Sequence, residues 1–267
     1  MLIESTVHLP ISLAMLEGIL KVFKKPEGIE LAKISMRWLH FVGGITWIGL
    51  LYFFNLVNVP FQKGLDAETK KKVNPDLLSR TLWYFRWGAV LTVLTGLGYY
   101  VMYILKPDVQ LAHQKGAQFS GKWLVFAWLT YPIALFLIEY LIIKKVPVLT
   151  QDGRVYAVVM FILVGVVSFG LLKFFNAKLI DLHGQINKSL SIGVGGAYGI
   201  LMMLNVWGII WPNNKRSIAA FAGTGPAAPP ELARQAFLAS RTNAWLSLPL
   251  LLLMATSHGD WIIFGGG

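Results

Sequence analysis

The chain alternates between long apolar runs and short polar breaks. Six apolar stretches stand out: about Met36 to Val59, Phe85 to Leu105, Trp123 to Ile143, Tyr156 to Phe175, Ile192 to Trp211 and Trp245 to Phe264. Each is near the roughly 20 residues that a helix needs to cross about 30 Å of hydrocarbon. Pro60, Lys106–Pro107 and Pro212 mark the expected ends of the first, second and fifth. No ten-residue alternation of the kind that builds an outer-membrane barrel is visible. The pattern predicts an all-α fold, a polytopic transmembrane helix bundle of six spans.

Two weaker stretches flank this pattern. Residues 7–25, VHLPISLAMLEGILKVFKK, are apolar but short, carry Glu17 and end in lysines. They predict an interfacial amphipathic helix and are the one place where a seventh span would fit. Residues 213–230 form a Pro/Gly/Ala-rich linker, and ELARQAFLASRTN after it has helical spacing, expected to lie at the interface before the last span. No soluble domain or tandem repeat interrupts the chain. The expected organisation is a single integral membrane domain over 1–267, with an N-terminal interfacial segment at 1–34 and the bundle at 35–264.

Composition sharpens the class. Mean hydropathy is +0.59, and only 14% of residues are charged, fewer than a soluble domain carries. The chain has no cysteine, which excludes disulfides, iron–sulfur clusters, thiolate zinc sites and covalently attached c-type haem. The net charge of +11 belongs to basic loops that answer to anionic lipid and topology, and no nucleic-acid-binding motif accompanies it. The bilayer is therefore the first expected partner, and nucleic acid is not one. Basic residues concentrate on the side holding the loops near 60–84, 144–155 and 212–244, among them Lys70, Lys71, Lys72, Lys144, Lys145, Lys215 and Arg216. The positive-inside rule makes that side cytoplasmic and places the C-terminus outside the cytoplasm. Trp38, Trp83, Tyr84, Trp87, Trp123, Trp211, Trp245 and Trp261 lie near span ends, as an aromatic belt requires.

Against that background the histidines carry the chemistry. His40 lies about one turn inside the first span and His258 about one turn inside the last, both from the extracytoplasmic side. Each is within roughly 5 Å, along its helix, of a polar marker, Arg37 or Asp260. Two imidazoles at one depth on different helices suit the axial positions of a non-covalent haem b, with His40 and His258 as metal ligands. Gly43 and Gly44 follow His40 on its own face, leaving room for a flat ring. Gly195, Gly196 and Gly199 in the fifth span permit a similarly close approach. Arg37 is placed to pair a propionate, and His183, in a loop on the same side, is a further cofactor-binding candidate. The bland readings stand beside these: small residues also serve helix packing, and a histidine at a span end also bonds a backbone carbonyl. His113 reads as a surface residue. Glu139 is an intramembrane carboxylate, hence a proton-path candidate. Lys144 and Lys145 follow it closely, so an interfacial ion pair is the expectation. No nucleotide-binding loop, nucleophile elbow or zinc-protease motif is present.

RWLHFVGGITWIGLLYFFNLV in the first span, LWYFRWGAVLTVLTG opening the second and ASRTNAWLSLPLLLLMATSH in the last resemble the membrane domain of bacterial membrane-bound urate oxidases. The resemblance covers most of the chain and implies an inner-membrane location and redox work. In that family a cytochrome c domain follows the membrane domain. Without cysteine this chain has no thiols for such a haem, so the expected partner is a separate cytochrome c or a larger redox complex. Three readings follow. The first is a haem b electron-transfer subunit, the second a membrane oxidase or dehydrogenase acting on urate or another small reductant. The third is a cofactor-free structural subunit of a respiratory or oxidase assembly.

Overall fold

A computed structural model describes residues 26–179, 187–258 and 263–264. The expected N-terminal interfacial helix, His8 and His183 fall outside the described residues. Contacts divide the chain into Met1–Ser35 and Met36–Gly267. The described part of the first unit is the start of a helix, where the Leu31 amide donates to the Glu27 carbonyl at 2.8 Å.

Seven helices are described: α1 (Gly28–Gly64), α2 (Ala67–Gln114), α3 (Gly121–Lys145), α4 (Pro147–Gln151), α5 (Gly153–Leu179), α6 (Asn187–Phe221) and α7 (Pro230–Thr256). All but α4 are long and apolar enough to cross a membrane, and no strand occurs among the described residues. The protein is thus an all-α bundle with six candidate spans. Large apolar side chains on the outside, such as Phe161 and Ile45, suit a lipid-facing surface. α6 is the central element: 67% of its most apolar stretch is buried, against 17% for α5. Its row of small residues lets α2, α3, α5 and α7 pack around it.

The helix ends depart from the expected ones for a specific reason. Pro60, Pro107 and Pro212 stop nothing; the helix runs through each. All three prolines lie two residues past a π-helical turn, at Phe53–Asn58, Val101–Leu105 and Val206–Ile210. A proline lacks the amide hydrogen and its ring collides with the carbonyl one turn back. The wider turn relieves that collision, so each helix continues into a short extension. α7 likewise starts well before Trp245, since ELARQAFLASRTN belongs to the same helix as the span. α7 also ends at Thr256, which leaves His258 beyond the helix and not one turn inside it. Where helices do stop, the residues explain it. Gly116 (φ 93°) and Gly223 (φ 69°) take the left-handed conformation after α2 and α6. Asp66 and Ser120 cap the starts of α2 and α3.

The α1–α2 crossing positions the site described next. A Cβ on Gly43 would lie 2.8 Å from Thr92 Oγ1 and 3.2 Å from the Gly88 carbonyl, and one on Gly88 would lie 3.3 Å from the Gly43 carbonyl. Only glycine at both positions lets the two backbones approach this closely. His40 therefore comes to rest beside α2.

Candidate functional site

A cavity of about 440 Å³ opens between α1, α2, α3, α6 and the end of α7. Its lining is mainly apolar and includes both His40 and His258, together with Arg37. The size and character are those of a small-molecule or cofactor site.

His40 is half-buried, and its Nδ1 lies 2.8 Å from the Thr92 backbone carbonyl. A carbonyl only accepts, so Nδ1 carries the hydrogen and the lone pair is on Nε2. That is the arrangement found in metal-ligating histidines, whose second nitrogen is held by a carbonyl or carboxylate. Gly96, one turn past Thr92 on α2, makes room for the ring: a Cβ there would lie 2.7 Å from both Cε1 and Nδ1 of His40.

His258 is held by a similar logic at its own Nδ1. The Ser257 hydroxyl lies 2.6 Å from that nitrogen and 2.7 Å from the Met254 carbonyl. A hydroxyl has one hydrogen, and the Met254 carbonyl takes it, so Ser257 accepts from Nδ1–H. His258 too is left with a free lone pair on Nε2. The α7 terminus thus sets the second imidazole through a serine instead of through helix register.

The other expected residues divide. Gly44 lines the cavity, and a Cβ there would meet only Thr92 Cγ2, at 3.7 Å. Gly195, Gly196 and Gly199 line it as well. Gly43 does not; it is used in the α1–α2 crossing. Arg37 is exposed, with its guanidinium carbon 5.9 Å from the centre of the Tyr99 ring. His113 is exposed and bonds the Phe119 carbonyl, away from the cavity. Glu139 makes no ion pair with Lys144 or Lys145. Lys144 instead donates to Gln235 at 2.6 Å and to Asn213 at 3.3 Å. The reason is geometric: Glu139 turns inward to neutral donors on α5 and α6.

Several lining residues have no part in the expectations above. Gly96 stands in LTGLGYY, where a GxG in a span was the available signal. Trp47 is 1% exposed, and its indole N–H has no partner among the described residues. Two neighbours in the lining have theirs: Trp128 Nε1 donates to the Gly193 carbonyl at 2.8 Å, and Tyr100 donates to the Ser189 carbonyl at 3.0 Å. Trp47 follows His40 by seven residues, two turns along the same face. A mid-span tryptophan outside the aromatic belt was its signal.

These features bear on what the cavity would accept. No group of three or more His, Cys, Asp or Glu side chains is gathered among the described residues. A bare metal ion would therefore lack ligands, whereas a macrocycle that brings four nitrogens needs only two axial imidazoles. The Arg37 guanidinium, at the cavity's outer end, suits the carboxylates such a macrocycle carries. Two imidazoles and a guanidinium on one cavity are the donor set that haem b would use.

Among comparisons with known proteins, a family model described as "Urate oxidase N-terminal" matches residues 27–264. Neither the curated proteins nor the solved structures provide a match.

Proposed function

The chain belongs to the urate oxidase N-terminal family, and from that premise we propose that it is a membrane electron-transfer subunit holding haem b between His40 and His258. The observation that carries the proposal is the shared cavity: both imidazoles reach it with Nδ1 engaged by an acceptor and Nε2 free. Haem b bound there supplies one-electron redox chemistry. The chain's own residues do the rest. Thr92 and Ser257 orient the two rings, Gly96 gives His40 its seat, and Gly44 and Gly196 leave space for a flat ring. Arg37 pairs a carboxylate, and the apolar lining excludes water. The partner is an extracytoplasmic cytochrome c or a larger redox complex. The location is the bacterial inner membrane with the C-terminus outside the cytoplasm, because the basic residues gather at the opposite ends of the spans.

A second reading is favoured by the family itself: the cavity side of the protein oxidises urate or another small reductant and passes the electrons to that cytochrome. The two readings share a test. Purified chain from haem-replete cells is expected to give b-type bands in a reduced-minus-oxidised spectrum; a colourless, spectrally silent protein overturns both. Urate-dependent reduction of added cytochrome c, lost in His40→Ala, selects the second, and no response to urate leaves the first.

A further inference from the structure

Glu139, on α3, is fully buried and takes no part in the cavity lining. Its carboxyl accepts from the Tyr156 hydroxyl at 2.7 Å and from Asn205 Nδ2 at 2.9 Å. The Tyr156 hydrogen is used there, so the tyrosine oxygen accepts from Thr242, 3.0 Å away. The second Asn205 hydrogen goes to Asn243 Oδ1 at 3.0 Å, and Asn243 Nδ2 donates to the Met202 carbonyl at 2.9 Å. Five side chains from α3, α5, α6 and α7 thus form one buried polar network.

The network has no cation. The ion pairs among the described residues are Lys72–Glu68 and Arg80–Asp76, both exposed and both elsewhere. Three charged groups on the helices around Glu139 are occupied otherwise. Lys144 bonds Gln235 and Asn213, Arg234 bonds the Thr150 and Gln151 carbonyls, and Arg241 lies over the Phe237 ring. Tyr156 is the other titratable group in contact, and it is already donating. A buried carboxylate needs a counter-ion or enough donors to fill about four acceptor positions, and otherwise takes up a proton. Three donors are counted here, from Tyr156, Asn205 and the Thr242 hydroxyl, which the tyrosine oxygen shares. A second sign points the same way: Asn205 Oδ1 is buried with no partner. The network is one hydrogen short.

We propose that Glu139 is a proton-binding site inside the membrane, protonated at neutral pH. Its carboxyl O–H forms and breaks by exchange with water along a polar file leading to the cavity. From Asn205 the file passes to Asn243, then one turn along α7 to Ser247. The Ser247 hydroxyl donates to the Ala244 carbonyl at 2.7 Å, so it accepts from Tyr52, 2.9 Å away, whose side chain lines the cavity. The site does not depend on what the cavity holds.

Infrared spectroscopy of the purified full chain at neutral pH, in H₂O and in D₂O, tests this. The expected result is a D₂O-sensitive C=O band of a protonated carboxyl that disappears in Glu139→Gln and shifts in Tyr156→Phe, where one hydrogen bond is removed. Glu139→Gln should also melt close to the wild type, since the amide copies a neutral carboxyl in shape. A wild-type spectrum without that band, a band that persists in Glu139→Gln, or a Gln variant that melts far lower than the wild type, as expected if the native group were a carboxylate, each overturn the proposal. A melting temperature that rises with sodium and not with potassium would likewise overturn it, in favour of a cation site.

Discussion

Gly96→Ala is the smallest change that reaches His40. The added methyl carbon would lie 2.7 Å from Cε1 and Nδ1 of the ring, closer than real Cβ atoms come. The ring must therefore move, and the 2.8 Å bond from Nδ1 to the Thr92 carbonyl is lost with it. Overpacking of this kind costs about 1–3 kcal/mol, and the lost hydrogen bond adds about 1 kcal/mol. Changes to the partners that orient a ligating histidine typically weaken metal binding by roughly 10–100-fold. Titration of haem into the purified apo-chain should show a loss in that range for Gly96→Ala. Two controls bracket it. Gly98→Ala, whose Cβ would sit 3.6 Å from Met36 Cε, should bind like the wild type. Gly208→Ala, whose Cβ would strike Phe136 at 2.5 Å outside the cavity lining, should lower the melting temperature but leave haem affinity unchanged. Wild-type affinity in Gly96→Ala would refute the pose of His40 on which the site rests.

Two further outcomes follow from other residues. Ser257→Ala removes one of two acceptors at the His258 ring, leaving the Met254 carbonyl, and should weaken haem binding, by up to roughly tenfold; unchanged binding in the same titration would mean that Ser257 does not orient the ring. Asp66 caps α2, and its hydrogen bond from the Thr69 hydroxyl, then that from the Thr69 amide, hold its carboxyl below the usual range. Stability from a carboxylate lowered in the folded state is present above its unfolded value and lost as pH falls through the folded one. The melting temperatures of wild type and Asp66→Ala should therefore differ at neutral pH and converge on acidification; a gap that widens in acid would contradict the cap.

The bundle was legible because its signal is redundant: each span is an apolar run of sufficient length, and any part of the run reports it. The helix ends were less so. Proline reads as a stop, yet at Pro60, Pro107 and Pro212 a π-helical turn two residues earlier absorbs the ring, and nothing in the local composition announces that turn. The site was legible in part for a similar reason. Histidine is rare enough in a span to be noticed, so His40 and His258 were paired by depth, and one cavity takes both. What positions them is not written in residue type. The His40 partner is a backbone carbonyl, which every residue has, and its seat is Gly96, one of 26 glycines in the chain. Gly43 looked equivalent to Gly44, but a turn of 100° per residue puts one in the helix crossing and the other on the cavity. The lysines beside Glu139 in sequence suggest an ion pair, whereas its bonds come from Tyr156 on α5 and Asn205 on α6, with Thr242 of α7 beside them.

The central claim is that two imidazoles of this chain are the axial ligands of one haem. Electron paramagnetic resonance of the oxidised, haem-loaded protein tests it most directly, with His40→Ala and His258→Ala beside the wild type. The account predicts a low-spin signal of bis-imidazole type in the wild type, replaced by a high-spin signal in each single variant. A wild-type spectrum that stays low-spin in either variant would contradict it.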